Sequence, residues 1–367
     1  MNRRPLRLIF VGTLPEPGGA ASHFVSLVNA MAAAGHQLAV VAACGSGVWR
    51  ALEHNDSITL HPAEFTRTFD KVAMRTLRQV VLDVKPHHIV GVFERDYWGT
   101  ALVAAQNRVP LTLFLHHAGL KRSSRLALRW ARRHFVVPSD DLRNWIIAQG
   151  ASASRTTVLH NPIDTEYFQQ NSELRAAQRS KFRLSDSDVL VGFAGRLESN
   201  KGVVPFAEAL TKAMTRNSNL RAAWIGFGRR EAEVDAVIQK SSFAARHIRL
   251  PWTDDMLPYY AAMDIVALPS TGRESFGRVL AEAQSCEIPV LGSDIGGIAE
   301  AMHAGSSGHL VAPGDVDAWA NAIVELASSA TRRAQMGSAG RKYVRGAFDS
   351  SVIAREFEEL LHAHASN

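Results

Sequence analysis

The stretch Val189–Gly202 reads VLVGFAGRLESNKG, a short apolar run followed by a polar loop with a glycine at each end. A pattern typical of an amphipathic helix follows directly, over Val203–Thr215. Short apolar runs of this kind are typical of strands that are buried on both faces. A buried strand that leads through a glycine loop into a helix is the building unit of a parallel α/β sheet.

The same alternation of apolar runs and helical patterns extends along the whole chain. The runs that predict strands in the first half are Leu6–Val11, Gln37–Ala43, His88–Phe93, Leu111–Leu115, His134–Val137 and Thr157–Leu159. Those in the second half are Val189–Ala194, Arg221–Gly226, His247–Leu250, Asp264–Leu268, Val290–Gly292 and His309–Val311. The pattern predicts an α/β fold with two facing Rossmann-like domains, each a parallel sheet with helices on both faces.

A polar stretch, Tyr167–Asp188, has little strand character and separates the two halves. We therefore place a first domain over residues 1–165 and a second domain over residues 166–345. The remaining residues, 346–367, contain the helical pattern Val352–His364, which can pack back on the first domain.

The composition and the length of the apolar runs exclude several classes of protein. The 367 residues include two cysteines, Cys44 and Cys286, which exclude a disulfide scaffold and fit a reducing compartment. The longest apolar runs fall well short of the roughly 18 residues of a transmembrane helix, and the first apolar stretch is typical of a strand rather than a signal peptide. We therefore expect a cytoplasmic protein. The net charge is +6, but no basic stripe with interleaved aromatic residues predicts nucleic-acid binding.

Ligands of open parallel sheets bind outside the carboxyl ends of the strands, so the loops that follow strands are the candidate sites. The first such loop, Gly12–Gly19, reads GTLPEPGG. Gly18 and Gly19 let backbone N–H groups approach a phosphate or a sugar at a helix start, and a glycine turn without a ligand is the alternative. The loop lacks the G-x-G-x-x-G pattern, which argues against a dehydrogenase.

The second loop, Gly195–Gly202, places Arg196 and Lys201 at the carboxyl end of the strand quoted above. Arginine can form two parallel hydrogen bonds to a phosphate, and lysine supplies a point charge. The two cations therefore suit a diphosphate. On spacing alone, a solvated basic loop is the alternative.

The third loop and its helix, Ser270–Ser285, contain Glu274 and Glu282. Eight helical residues rise about 12 Å, so two helical glutamates at this spacing cannot form a close catalytic dyad and can instead contact two parts of one long ligand. Gly277 lies near the helix start, where N–H groups favour an anion. An amphipathic helix with two solvated glutamates is the alternative. A fourth loop, Asp294–Glu300, again carries paired glycines after a strand.

Five stretches carry a resemblance to a known family, in the order GGAASHFVSLVNAMAAAGHQLAVVA, NPIDTEYF, GRLESNKG, RESFGRVLAEAQSCEIPVLGSDIGGIAE and GHLVAPGD. On these stretches the chain resembles the family 4 retaining glycosyltransferases, which use nucleotide sugars and have the two-Rossmann GT-B architecture. The resemblance covers nearly the whole chain. Its specific parts lie in the second half, above all the Glu-x7-Glu spacing of Glu274 and Glu282 with Arg196 and Lys201 upstream.

The resemblance implies how the second domain would bind a nucleotide-sugar donor. Glu274 would bind hydroxyl groups of the sugar, and Glu282 would bind the ribose. Arg196 and Lys201 would hold the diphosphate. Backbone N–H groups near three residues would help them, namely Ser275, Phe276 and Gly277.

The resemblance also implies roles in the first domain, which would bind the acceptor. Gly18 and Gly19 would line the opposite wall of the cleft. The family has a histidine after the fourth strand, which matches His116, with His117 as the competitor. Together with Glu274, Arg196 and Lys201, His116 completes the expected catalytic set.

Two positions depart from the family pattern, because Pro251 and Glu287 stand where the family usually has glycine. Pro251 lies near the segment that stacks on the base, which leaves the choice of base open. Two Asp-x-Asp matches, Asp186/Asp188 and Asp315/Asp317, lie outside the ligand loops. We therefore expect no metal and no cofactor beyond the nucleotide sugar as co-substrate.

The expected function is hexosyl transfer from a UDP- or GDP-linked donor to a glycan or lipid-linked acceptor, in cell-envelope or exopolysaccharide biosynthesis. A nucleotide-sugar epimerase of GT-B fold and a non-catalytic nucleotide- or glycan-binding module are the alternatives. The segment 119–133, GLKRSSRLALRWARR, interleaves basic residues with Leu and Trp, which predicts contact with an anionic membrane surface or with a lipid-phosphate acceptor. For this segment, a solvated helix with its apolar stripe in the core is the alternative.

Overall fold

The computed structural model describes residues 4–13, 18–117 and 134–365. The chain forms two compact units, Met1–Pro162 together with Ser350–Asn367, and Ile163–Asp349. It passes from the first unit to the second three residues before the predicted boundary at 165/166. Each unit contains its own parallel sheet with flanking helices, so the predicted α/β class is confirmed.

The first unit is built on a sheet whose strand order is β3-β2-β1-β4-β5-β6-β7 within the described residues. Its strands are β1 (Arg7–Val11), β2 (Gln37–Ala42), β3 (Ile58–Pro62), β4 (His88–Gly91), β5 (Leu111–Phe114), β6 (His134–Val137) and β7 (Thr156–Val158). The helices of this part of the chain, among the residues that the structure describes, are α1 (Gly19–Ala33), α2 (Gly47–Leu52), α3 (Lys71–Val84), α4 (Tyr97–Gln106) and α5 (Asp140–Ala148). The strand pairs are parallel, with Leu8 opposite Leu38 and His88.

One strand of this sheet, β3, is absent from the predicted set. Its sequence, ITLHP, lies at the edge of the sheet and is largely half-exposed or exposed. An edge strand is not covered on all sides, so it lacks the continuous apolar run by which the central strands are identified.

The second unit has a sheet of order β10-β9-β8-β11-β12-β13 within the described residues. Its strands are β8 (Val189–Ala194), β9 (Leu220–Ile225), β10 (His247–Leu250), β11 (Ile265–Leu268), β12 (Val290–Ser293) and β13 (Gly308–Val311). Its helices are α6 (Ser172–Lys181), α7 (Val203–Arg216), α8 (Glu231–Lys240), α9 (Leu257–Ala262), α10 (Arg278–Ser285), α11 (Val316–Ala327) and α12 (Ala330–Ala347). These pairs are parallel as well, and the central strands β8 and β11 are neighbours.

The helix that follows the second unit, α13 (Ser350–Ala365), belongs to the first unit. Phe357 of α13 is fully buried, and its ring lies 6.5 Å from that of Phe10 and 5.5 Å from that of Phe114. Ile353 is buried in the same cluster, together with Leu27 of α1. Burying a side chain of this size stabilises a fold by about 1.5–3 kcal/mol, so α13 is an integral part of the first core.

Two sequence expectations concern membranes. The segment 119–133 lies outside the described residues. In the ranges that the structure does describe, no helix combines the length and the apolar character needed to cross a bilayer.

Several histidines lie at the amino ends of strands in the first sheet, near the end of α13. The rings of His134 and His364 lie 3.6 Å apart between centroids, and His88 Nε2 lies 2.8 Å from the hydroxyl of Thr112. Burial, with the nearby imidazoles, lowers the pKa of His88 to about 3 and that of His134 to about 3. Both rings are therefore held neutral in the fold.

We expect the first unit to lose stability as the pH falls. The pKa of His88 in the fold lies below its unfolded value of about 6.5, so its contribution is full above pH 6.5 and is lost progressively toward pH 3. For this ring alone the free energy of unfolding should fall by about 2 kcal/mol between pH 7 and pH 5. Urea titrations at both pH values would measure it, with His88→Gln as the comparison. If the free energy of unfolding of His88→Gln falls between pH 7 and pH 5 by as much as that of the parent, the buried neutral ring of His88 is not the cause of the loss.

Candidate active site

Three loops meet at the carboxyl edge of the second sheet. The loop after β8 is joined to the loop after β11, because the N–H groups of Thr271 and Gly272 donate to the carbonyl oxygen of Asn200 at 3.0 and 2.9 Å. The loop after β12 joins the second of these, because the N–H of Gly297 donates to the carbonyl oxygen of Glu274 at 2.8 Å. The backbone around Glu274 is therefore fixed from two sides.

Two glycines make this close approach possible. Gly202 has a φ of +63°, and a methyl group on it would lie 2.0 Å from the carbonyl oxygen of Pro269. Gly296 has a φ of +61°, and a methyl group there would lie 2.4 Å from the carbonyl oxygen of Glu274. Any side chain at either position would push the loops apart and would also be strained in the left-handed region.

Lys201 and Glu274 form an ion pair between two of these loops. Lys201 Nζ lies 2.5 Å from Glu274 Oε1, and the hydroxyl of Ser270 donates to the same oxygen at 2.5 Å. The two charged side chains are only 18% and 14% exposed. Within the described residues, Glu274 Oε2 has no hydrogen bond, and Lys201 uses one of its three donors on the pair. The pair thus presents a free carboxylate oxygen beside a cation.

Arg196 stands at the opposite end of the loop after β8. Its side chain is exposed and makes no ion pair or hydrogen bond with the part of the chain that the structure describes. The nearby carboxylate of Glu198 is engaged instead by Arg229, with Nε 3.0 Å from Oε2. Arg196 attracts the Glu198 carboxylate less strongly than Arg229 does and forms no hydrogen bond with it.

Glu282 lies inside helix α10 and is buried, with its own partners. Arg278 Nε donates to Oε1 at 2.6 Å, and the hydroxyl of Tyr260 donates to Oε2 at 2.9 Å. Burial and the carboxylate raise the pKa of Tyr260 well above its usual range, so the tyrosine keeps its proton as the donor. The two predicted glutamates thus belong to two separate hydrogen-bonded clusters.

The residues directly before α10 fix the position of the helix start. Gly277 is its N-cap, with a φ of +96°. The ring of Phe276 is buried against that of Phe348, with centroids 5.0 Å apart at an interplanar angle of 87°. The side chain of Phe276 therefore anchors the loop, and Ser275 precedes it half-buried. The first N–H groups of any α-helix have no partner within the helix, and they carry a partial positive charge.

An aromatic pair at the same edge was not found from the sequence. Phe227 follows β9 and is 54% exposed, and Trp252 follows β10, with the ring centroids 6.5 Å apart at 79°. Pro251, which departs from the family pattern, directly precedes Trp252 and is exposed. The glycines that flank Phe227 are a signal that could have identified this loop.

The two neighbouring histidines of the first unit, His116 and His117, differ in burial. The ring of His116 lies 4.7 Å from that of His23 and 6.0 Å from that of Phe114, and its buried Nε2 has no hydrogen-bond partner within the described residues. Burial, with the neighbouring His117, lowers the pKa of His116 to about 3. His117 is 58% exposed, and its Nε2 lies 3.8 Å from Glu94 Oε2. His116 is thus the neutral ring with an unused buried nitrogen.

Gly18 and Gly19 lie at the start of α1, and among the described residues no atom beyond their chain neighbours and the helix backbone lies within 4 Å of where a side chain would begin. The predicted loop residues 14–17 lie outside the described ranges. Of the two Asp-x-Asp matches, Asp188 pairs with Arg221 at 2.8 Å, and Asp315 caps α11. Within the described residues, no group of three or more His, Cys, Asp or Glu side chains could hold a metal ion.

Two family models match the chain. One, described as Glycosyltransferase Family 4, covers residues 17–167, and the other, described as Glycosyl transferases group 1, covers residues 188–329.

Curated relatives match over much of the chain. The D-inositol 3-phosphate glycosyltransferase of Rhodococcus jostii is 30% identical over 266 residues, 68% of this chain and 58% of that protein. The capsular polysaccharide biosynthesis glycosyltransferase CapM of Staphylococcus aureus is 28% identical over 236 residues, 61% of this chain and 60% of that protein. The chain thus spans less than two thirds of the length of either relative.

Solved structures share the fold. Anabaena Alr3699/HepE in complex with UDP and glucose has a TM-score of 0.85 at 22% identity, covering 98% of this chain and 100% of that chain. A glycosyltransferase from Rickettsia africae has a TM-score of 0.88 at 16% identity, and each chain is covered completely.

Proposed function

The chain belongs to the family 4 glycosyltransferases of GT-B fold, and from that premise we propose that it transfers a hexose from a UDP- or GDP-linked donor to a glycan or lipid-linked acceptor. The observation that carries the proposal is the contact of Lys201 with Glu274. It holds a cation for phosphate and a carboxylate oxygen for sugar hydroxyls side by side. The two groups lie at the edge of the sheet where such folds bind ligands.

The donor is bound by the second unit. Arg196 and Lys201 hold the diphosphate, with the N–H groups of Ser275, Phe276 and Gly277 at the start of α10. Glu274 accepts hydrogen bonds from sugar hydroxyls through its unused Oε2. Three further residues contact the nucleoside: Glu282 lies near the ribose, and the aromatic pair of Phe227 and Trp252 lies near the base.

Catalysis rests on the departure of the diphosphate while the sugar gains oxocarbenium character. The cations of Arg196 and Lys201, with the N–H groups at the helix start, stabilise the charge that develops on the leaving oxygen. Preorganised donors of this kind are worth about 3–4 kcal/mol each. These groups supply the positive charge, so we propose transfer without a metal ion. The configuration of the anomeric carbon is retained, and no protein nucleophile is assigned.

The first unit binds the acceptor. His116 keeps a neutral ring, and its Nε2 can accept a hydrogen bond from a sugar hydroxyl that enters the site. Gly18 and Gly19, at the start of α1, carry no side chain that would keep a ligand from the backbone N–H groups there. We place the reaction in cell-envelope or exopolysaccharide biosynthesis, on the cytoplasmic side of the membrane. The relative named for capsular polysaccharide biosynthesis supports the choice of pathway.

Ligand-induced stabilisation tests the donor. Thermal unfolding in EDTA is measured with UDP, GDP, ADP, CMP, NAD and the common sugar conjugates. A ligand at 100 times its dissociation constant adds about 2.7 kcal/mol, which raises the midpoint by several degrees. We expect stabilisation by UDP or GDP that is lost in Arg196→Ala and kept in Arg355→Ala, an exposed arginine on α13.

Three results would contradict this assignment in different ways. Stabilisation by NAD alone would indicate an oxidoreductase, and no stabilisation by any of these ligands would indicate a non-catalytic module. Consumption of the sugar conjugate without an acceptor, with an epimeric sugar as product, would indicate an epimerase. When an acceptor is found, the anomeric coupling constant of the product, measured by NMR, tests retention.

A further inference from the structure

The start of helix α3 and the loop before it expose apolar side chains. Phe69 is 53% exposed and Val72 is 72% exposed. The opposite face of the same helix is buried in the core of the first unit, through Leu77 and Val81. Val72 therefore stands on a helix that is anchored in the core, and Phe69 lies in the turn that leads into it; both side chains are exposed.

Basic residues surround this apolar pair. Four of them are exposed, and none forms an ion pair or a side-chain hydrogen bond within the described residues: Arg67, Lys71, Arg75 and Arg78. The acidic residue among them, Asp70, is buried as the N-cap of α3. Its carboxylate accepts the N–H groups of Val72 and Ala73 at 3.0 and 3.2 Å and the hydroxyl of Thr66 at 2.7 Å. The exposed charge of this surface is therefore positive.

We propose that this α3 surface, residues 67–78, docks the protein on an anionic phospholipid bilayer. Apolar side chains that enter the headgroup region, flanked by cations that pair with lipid phosphates, are the combination that binds such surfaces. A protein interface would be depleted of charge at its centre. Single-stranded nucleic acid would need several stacking aromatic rings along a groove, whereas this surface carries Phe69 alone.

The position of the α3 surface suits an acceptor that is anchored in a lipid. Helix α3 begins after β3, so its first turn lies at the carboxyl edge of the first sheet, the edge at which His116 follows β5. The α3 surface is separate in sequence from segment 119–133. It is also distinct from the donor site, so docking can be tested without any assay of sugar transfer.

Sedimentation with vesicles tests the proposal. The full chain is mixed with vesicles of phosphatidylcholine, with or without phosphatidylglycerol, at low and high salt. We expect binding only to the anionic vesicles, weakened by salt. Lys71→Gln with Arg75→Gln should lower the partition coefficient about 25-fold, at about fivefold per cation. Phe69→Ser with Val72→Ser should lower it about tenfold or more, because two apolar groups no longer enter the bilayer.

Two control variants remove groups of the same kind outside the α3 surface. Lys240→Gln with Lys342→Gln deletes two exposed lysines of the second unit, and Leu82→Ser deletes an apolar side chain that is 51% exposed at the far end of α3. Both should bind within about twofold of the parent, and all variants should keep its thermal midpoint because the changed groups are exposed. Equal binding by test and control variants would overturn the proposal. So would equal binding to neutral vesicles, or binding to duplex DNA without binding to anionic vesicles.

Discussion

Replacing Lys201 by methionine is expected to lower kcat/KM for the nucleotide-sugar donor by about 10²–10³-fold. The change removes a cation that we place on the leaving diphosphate, and it also releases Glu274, whose Oε1 the ammonium holds at 2.5 Å. Methionine keeps much of the length of the side chain, so the loop after β8 retains its packing. Steady-state kinetics with the donor identified by thermal unfolding would measure the loss.

Lys212→Met provides the matched control for this prediction. Lys212 is also a lysine of the second unit that pairs with a carboxylate, that of Asp317, but the pair is exposed on the surface and away from the loops. We expect its activity to remain within about twofold of the parent, because exposed pairs contribute about 0–1 kcal/mol. If Lys201→Met keeps full activity at an unchanged thermal midpoint, the proposed phosphate contact is wrong.

Replacing Arg278 by methionine is expected to destabilise the second unit by about 3–5 kcal/mol, because it leaves the buried carboxylate of Glu282 without its cation. Arg278 and Glu282 are only 12% and 8% exposed, and their atoms lie 2.6 Å apart. Adding Glu282→Gln to the same chain should recover much of the loss, because the charge that lacks a partner is then removed as well. Urea unfolding of the single and double variants measures both effects.

An exposed pair gives the reference value for this experiment. Arg345 and Glu166 lie 3.4 Å apart in the same unit and are 56% and 76% exposed. Arg345→Met should therefore cost less than about 1 kcal/mol. If the free energies of unfolding of Arg278→Met and Arg345→Met are equally close to that of the parent, the ion pair at Glu282 is not a stabilising element of the fold.

The order of strands and helices could be predicted from the sequence because the central strands of both sheets are covered on both faces. Burial on both faces requires a continuous apolar run such as VLVGFA in β8. The same reasoning fails for β3, an edge strand whose exposed positions interrupt its apolar pattern. The position of α13 in the first unit depends on contacts of Phe357 with residues more than two hundred positions earlier. No local pattern contains that information.

The loops of the candidate site could be predicted because they follow strands, but the partners within them could not. Lys201 meets Glu274 across 73 positions of sequence. The two loops are adjacent because β8 pairs with β11, which is a property of the sheet order. The Glu-x7-Glu spacing did not reveal that Tyr260 and Arg278 occupy both oxygens of Glu282. Burial, which distinguishes His116 from His117, likewise depends on the assembled fold.

The place of α13 in the chain has a consequence for biosynthesis. The first core includes Ile353 and Phe357, which leave the ribosome only after the whole of Ile163–Asp349 has been made. Domains usually complete their folding in the order of synthesis. Here all residues of the second unit are synthesised before the first unit is complete. The apolar surface around Phe10 is covered only after α13 has been made. We therefore expect the first unit to keep hydrophobic surface exposed for longer during translation than the second unit does.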